Sequence, residues 1–350
     1  MKMKLGVISV VAAIGCVVTP LSMARDNVEV VGSSTVYPFA TVVAERYGRA
    51  TGKATPKIES TGSGGGLKLF CSGVGTQFPD ITNSSRRIKL SEFDKCAGNG
   101  VTEVIEVKVG FDGIVLANST KTTAMDITRR DIFFGLAKMI PGEKDGELIE
   151  NPYTNWSDVN PALPNTKIEV LGPPPTSGTR DAFAELAMEG GCKSVAWIKA
   201  LKKTNKKQYK AICHSIREDG AYIEAGENDN LIVQKLNANS DAFGVFGFSF
   251  LEQNADKVQG SLIEGIAPTF DSISDKSYPV SRPLYFYVKK AHVGVVPGIA
   301  GYLKEFTSEK AFGEEGYLTD KGMIPMSTQM RKATRNTATQ LISMQRSDLL

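Results

Sequence analysis

Short apolar runs rich in Val and Ile alternate with stretches of helical period along most of the chain, the pattern of an α/β protein. Val28–Val31 predicts a strand, and Phe39, Val42, Val43 and Tyr47 fall on one side of a helix from Pro38 to Arg49. Lys57–Glu59 predicts a short strand, followed by a Gly-rich turn and a helix near Leu67–Ser72. Two more strands are expected at Val101–Val107 and Gly113–Ala117. Lys167–Leu171 leads through a turn into a helix from about Gly178 to Met188. Leu231–Leu236 has a helical pattern, whereas Gly244–Phe248 and Leu284–Val288 read as buried strands. Asn336 to Leu350 is polar and reads as a helical or frayed tail. No low-complexity linker divides the chain, which points to lobes that share crossing strands rather than separate beads.

Length and charge narrow the function classes. At 350 residues the chain is long enough for two domains. With 41 Lys plus Arg against 38 Asp plus Glu, its field is too weak to argue for nucleic acid or an anionic membrane. The two histidines, His214 and His292, stand far apart, which weighs against a zinc site, a histidine triad or a haem pocket.

Lys2 and Lys4 precede an apolar run from Leu5 to Val18 that is too short to span a bilayer, and Ser22-Met23-Ala24 offers small residues for cleavage. Residues 1–24 are therefore expected to be a secretory signal peptide, whose removal leaves a net charge near +1. Ala13-Ile14-Gly15-Cys16 is an imperfect lipoprotein box, with Ala where Leu is usual, so export without a lipid anchor is the expectation. Cys71, Cys96, Cys192 and Cys213 then remain, an even number suited to an oxidising compartment. Of three pairings, joining nearest neighbours gives Cys71–Cys96 and Cys192–Cys213, each worth roughly 3 kcal/mol in the chain-entropy model.

Three segments share one design. Gly32-Ser33-Ser34-Thr35 follows a strand and precedes a helix, as do Ser60 through Gly66 and Pro175 through Asp181. The first N–H groups of a helix lack internal partners and carry the positive end of the dipole. Glycine admits an oxyanion to the backbone, and a Ser or Thr hydroxyl adds a donor. One such turn is an ordinary helix cap; three suggest convergence on one tetrahedral oxyanion. A fourth segment, Asp80 through Arg87, adds hydroxyls and positive charge. None of the three turns ends in the Gly-Lys-Ser/Thr of a Walker loop or fits the Gly-x-Ser-x-Gly nucleophile elbow. The chemistry supplied is hydrogen-bond donation, which predicts a binding protein rather than an enzyme.

These segments resemble the phosphate-specific substrate-binding proteins of ABC transporters, the Pst family, over about residues 28–330. Gly32 through Pro38, Ser60 through Gly66 and Thr176 through Arg180 are similar to that family's phosphate loops. Phe243 through Phe248 and Tyr278 through Pro283 resemble its late strand and its return into the first lobe. The resemblance implies the type II periplasmic binding protein fold, with two α/β lobes joined by hinge strands. Lobe I would comprise 26–108 and 261–330, lobe II 109–260, and 331–350 a polar C-terminal tail.

It also implies a phosphate site made of Ser34, Thr35, the Val36 amide, Ser63, Ser177, Gly178 and Thr179, with Arg86 and Arg180 as positive charges. Some members place a carboxylate after the Ser of the fourth segment to accept the proton of phosphate. Ser85 stands there in this chain, and Asp112 is the replacement candidate. The implied function is periplasmic capture of inorganic phosphate by a monomer and delivery to the membrane permease of an ABC importer, with no cofactor or metal. Another oxyanion receptor of the same fold, or a secreted phosphomonoesterase, are the alternatives.

Overall fold

The structure is a computed structural model that describes residues 25–226 and 229–350. The expected signal peptide and Cys16 lie outside the described residues. Buried Val30, Val31 and Ile81 anchor three parallel strands, β1 (Glu29–Gly32), β2 (Lys57–Ser60) and β3 (Ile81–Ser84), with β1 in the middle. Each strand points its C-terminal end toward the turn that follows it. Helices Tyr37–Thr51 and Ser63–Phe70 follow the first two.

The next strand runs from one half of the molecule into the other. β4 (Val104–Ser119) is continuous over 16 residues where the sequence pattern suggested two strands. Gly110 falls between the two expected strands and Gly113 at the start of the second. Both are points of close approach, since a Cβ at Gly110 would lie 2.7 Å from the Ile324 carbonyl oxygen and one at Gly113 2.6 Å from Ile273 Cδ1. Beyond it come β5 (Asp126–Ile127), a hairpin of β6 (Met139–Pro141) and β7 (Leu148–Glu150), β8 (Val170–Gly172) and β9 (Tyr222–Glu224). β10 (Phe243–Gly247), β11 (Val258–Gly260), β12 (Leu262–Ile263) and β13 (Ser281–Lys289) complete the order.

Among the described residues one nine-stranded sheet runs β2-β1-β3-β13-β4-β10-β8-β9, with β11 also on β4. β13 pairs antiparallel with β4 from Val104 to Gly113, and β10 takes over from Ile114 to Asn118. The changeover falls next to Asp112 and Gly113, so β4 and β13 are the strands that tie the two halves together. β12 pairs with β5 and Ser261 N donates to Leu116 O, so residues 261–263 sit with the middle of the chain, whereas the sequence reading placed them in the first lobe.

Both expected disulfides form, Cys71–Cys96 and Cys192–Cys213. The first sits in a small apolar cluster with Leu67, Phe70 and Tyr287. The expected helix at 178–188 is interrupted: Gly178–Phe183 is α-helical, and Ala184–Met188 widens into a π-turn. The polar tail is docked rather than frayed. Met344 is buried in the same small cluster and its N–H donates to Val104 O at 2.8 Å, and Arg346 pairs with Asp94. No helix of the described residues is long and apolar enough to cross a membrane.

Candidate functional site

The first turn begins where β1 meets β3 too closely for a side chain. Gly32 has φ +128°, and a Cβ there would lie 2.2 Å from Asn83 O. The chain then turns through Ser33–Val36 into the helix at Tyr37. Val36 N–H donates to Ser33 Oγ at 3.4 Å and is buried, so this amide is satisfied within the turn.

In the second turn Gly62 has φ +71° and the helix Ser63–Phe70 starts without a side-chain cap, which leaves its first N–H groups unmatched by any capping side chain. Gly66 lets this helix lie on β1, because a Cβ there would meet Gly32 Cα at 2.5 Å. Ser63 Oγ and Ser85 Oγ are 3.0 Å apart, and Ser85 N–H donates to Ser63 Oγ, so the second turn and the segment after β3 present their hydroxyls together.

The third turn comes from the other half of the molecule. Ser177 caps the helix Gly178–Phe183 by accepting from Thr179 N–H at 3.2 Å. Gly178 packs on the first turn, where a Cβ would lie 2.9 Å from Ser34 O. Thr35 Oγ1 donates to Gly178 O at 3.5 Å and Ser34 Oγ to Asp181 Oδ2 at 2.6 Å. Two of the three turns are therefore in direct contact across the halves.

Between them lies a cavity of about 210 Å³. Its wall gathers four of the sequence-predicted residues, Ser34, Thr35, Ser63 and Ser85, from three separate segments. It also gathers Asp181, Glu185, Lys210 and His214. The remaining candidates stand elsewhere. Arg86 makes a bidentate pair with Glu92 at 2.9 and 2.7 Å, which holds the guanidinium firmly charged. Arg180 stacks on the Tyr222 ring at 4.1 Å and donates to Pro173 O. Asp112 lies buried against Arg282 Nε at 3.3 Å; burial holds its carboxyl above the usual carboxylate range, outweighing the lowering by Arg282. Ser177, Gly178 and Thr179 shape the contact between turns without lining the cavity.

Arg282 is the residue that reading the turns missed. It is 5% exposed and sits on β13, where it donates to Thr35 Oγ1, Asp112 and, at 2.7 Å, Glu185. Its only sequence signal is a charge inside the apolar run Ser281 through Val288. Lys210 and His214 share one face of the helix Lys206–His214 by their four-residue spacing. His214 Nε2 lies 2.9 Å from Glu189 Oε2, and Glu189 also holds Lys202 and Lys193. Burial raises the Glu189 carboxyl, but these three partners outweigh it and hold it well below the usual carboxylate range. Among the described residues no group of three or more His, Cys, Asp or Glu is placed to hold a metal ion.

A mixed α/β sheet whose two halves share long strands, with a hydroxyl-lined cavity between them, defines a two-part ligand-binding protein. The profile of the PBP superfamily domain matches residues 18–310, and the chain belongs to that superfamily. Protein SphX of Synechococcus elongatus is 30% identical over 297 residues, covering 81% of this chain and 76% of its own. Phosphate-binding protein PstS of Staphylococcus saprophyticus is 28% identical, covering 84% and 79%. A possible phosphate binding protein from Planctomyces limnophilus superposes with a TM-score of 0.71 at 25% identity, covering 91% of this chain and 99% of its own. An ABC-type phosphate transport receptor from Vibrio cholerae shares the fold at TM-score 0.53 and 20% identity.

Proposed function

We propose that the chain is an exported receptor that binds one inorganic phosphate between its halves and delivers it to the membrane subunits of an ABC importer. The observation that carries this reading is the convergence of Ser34, Thr35, Ser63 and Ser85 on one cavity of about 210 Å³, closed on one side by the Ser34–Asp181 hydrogen bond. Hydroxyl donors, an uncapped helix start and Lys210 suit a small tetrahedral oxyanion. The names of the relatives supply the choice of phosphate and of binding over turnover. Export to the periplasm rests on the expected signal at residues 1–24 and on the two disulfides. The protein works as a monomer whose halves close on the ligand around β4 and β13.

Asp181 is the group that selects phosphate over sulfate. Phosphate carries a proton at neutral pH and can donate it to a carboxylate, whereas sulfate can only be repelled. Asp181 lines the cavity and already accepts from Ser34 at 2.6 Å. Asp112, the candidate read from sequence, is held in its ion pair with Arg282 and does not line it.

Equilibrium dialysis with labelled phosphate tests the site. Ser63→Ala removes a hydroxyl that faces the cavity and is expected to weaken binding about tenfold while the protein stays folded. Unchanged affinity would place the anion elsewhere, and steady release of phosphate from a generic phosphate ester would replace the receptor with an esterase.

A further inference from the structure

We infer that the phosphate cavity opens into a second anion subsite, so that the ligand class extends to inorganic oligophosphates such as pyrophosphate and tripolyphosphate. The inference rests on the proposed phosphate reading, with the terminal phosphoryl group in the small cavity.

A cleft of about 610 Å³ adjoins that cavity and shares Gly62, Ser63, Ser85, Glu185 and Lys210 with it, so the two spaces lie side by side. Seven cationic side chains line the cleft against two carboxylates. Most of the charge is already matched within the protein. Arg86 pairs with Glu92 at 2.7 Å, Arg87 with Glu106 at 2.8 Å, Lys202 with Glu189 at 2.9 Å and Arg282 with Glu185 at 2.7 Å. Lys89, Lys206 and Lys210 remain exposed and form no ion pair with the described residues.

These three lysines come from opposite walls. Lys89 follows β3, while Lys206 and Lys210 belong to the helix Lys206–His214 in the other half. Orthophosphate filling the inner cavity does not reach all of them. Like charges that face one cleft repel one another, and an anion lying between them removes that repulsion. The floor is the start of the helix Ser63–Phe70, where Gly64 and Gly65 are exposed and no side chain caps the first turn. A chain of phosphoryl groups matches this arrangement: its end meets the hydroxyls, and its next group meets lysine point charges and open backbone N–H groups.

Isothermal titration of the anion-stripped protein with orthophosphate, pyrophosphate and tripolyphosphate tests the subsite. Pyrophosphate is expected to bind one per chain and to be displaced by orthophosphate. The double variant Lys89→Gln/Lys206→Gln should weaken pyrophosphate about tenfold and leave orthophosphate within about twofold. Lys332→Gln, which removes one charge at an exposed position outside the cleft, should leave both unchanged. Orthophosphate binding without pyrophosphate binding would overturn the subsite and spare the phosphate reading. So would pyrophosphate binding that ignores the double variant, or that Lys332→Gln weakens equally. Binding of neither would remove both readings, and pyrophosphate alone would keep the subsite and end the orthophosphate assignment.

Discussion

A methyl group on Gly178 would lie 2.9 Å from Ser34 O and 3.0 Å from Thr35 Cα, contacts that exist only while the first and third turns touch. Gly178→Ala should therefore resist closure without disturbing either half. Phosphate affinity is expected to fall about tenfold while the melting temperature of the anion-free protein stays within about 2 °C; an affinity left intact would show that the turns need not meet around the ligand. Asp181→Asn exchanges a repelling carboxylate for an amide that can donate. The preference for phosphate over sulfate is expected to shrink at least tenfold in competition titrations, and a preserved preference would assign selectivity to another group. Ser34, Thr35, Ser63 and Ser85 were legible in the sequence because turn chemistry is local: Gly and Ser at a strand–helix junction announce themselves. Asp181 lay in the third turn without being assigned to the site, and Arg282, Lys210 and His214 were not legible, because tertiary pairing alone brings them there. Arg282 meets Asp112 across a separation of 170 residues.

At the scale of elements, the helix Lys206–His214 is held against the short helix Glu189–Cys192, which follows the π-turn Ala184–Met188, by the Cys192–Cys213 disulfide and by Glu189. Glu189 gathers Lys193, Lys202 and His214 and keeps its carboxyl depressed. A depressed carboxyl binds fewer protons folded than unfolded, so its contribution is present above the ordinary carboxylate range and is lost as pH falls below it. Glu189→Gln is expected to cost about 2 kcal/mol at pH 7 and less near pH 3, as read from urea midpoints at the two pH values. An equal loss at both would mean that packing, not charge, holds the helix. Element types were legible from periodicity, but junctions were not. The strand through Gly110 and Gly113 read as two because nothing local reveals the backbone of Ile324 or the side chain of Ile273 lying against these glycines. The tail from Asn336 to Leu350 read only as helical or frayed because its anchors, Asp94, Val104 and Arg87, lie far back in the chain.

At the scale of the molecule, β4 and β13 hold two half-sheets together and change partners beside the buried Asp112–Arg282 pair. Arg282 reaches from this crossing to Thr35 in the first turn and Glu185 on the third turn's helical segment. The pair thus links the place where the halves would rotate to the place where the ligand would sit, which is the geometry a closing receptor needs. The α/β class was legible because apolar runs alternate with helical periods, and the order of the turns was enough to suggest the family. How the halves share strands followed only from the pairing register.

The most direct test is calorimetric titration of the chain from Arg25 onward, stripped of anion, with phosphate and separately with sulfate. Tight binding of one phosphate per chain and no heat from sulfate are expected. Equal binding of sulfate, or no binding of either, would contradict the phosphate reading.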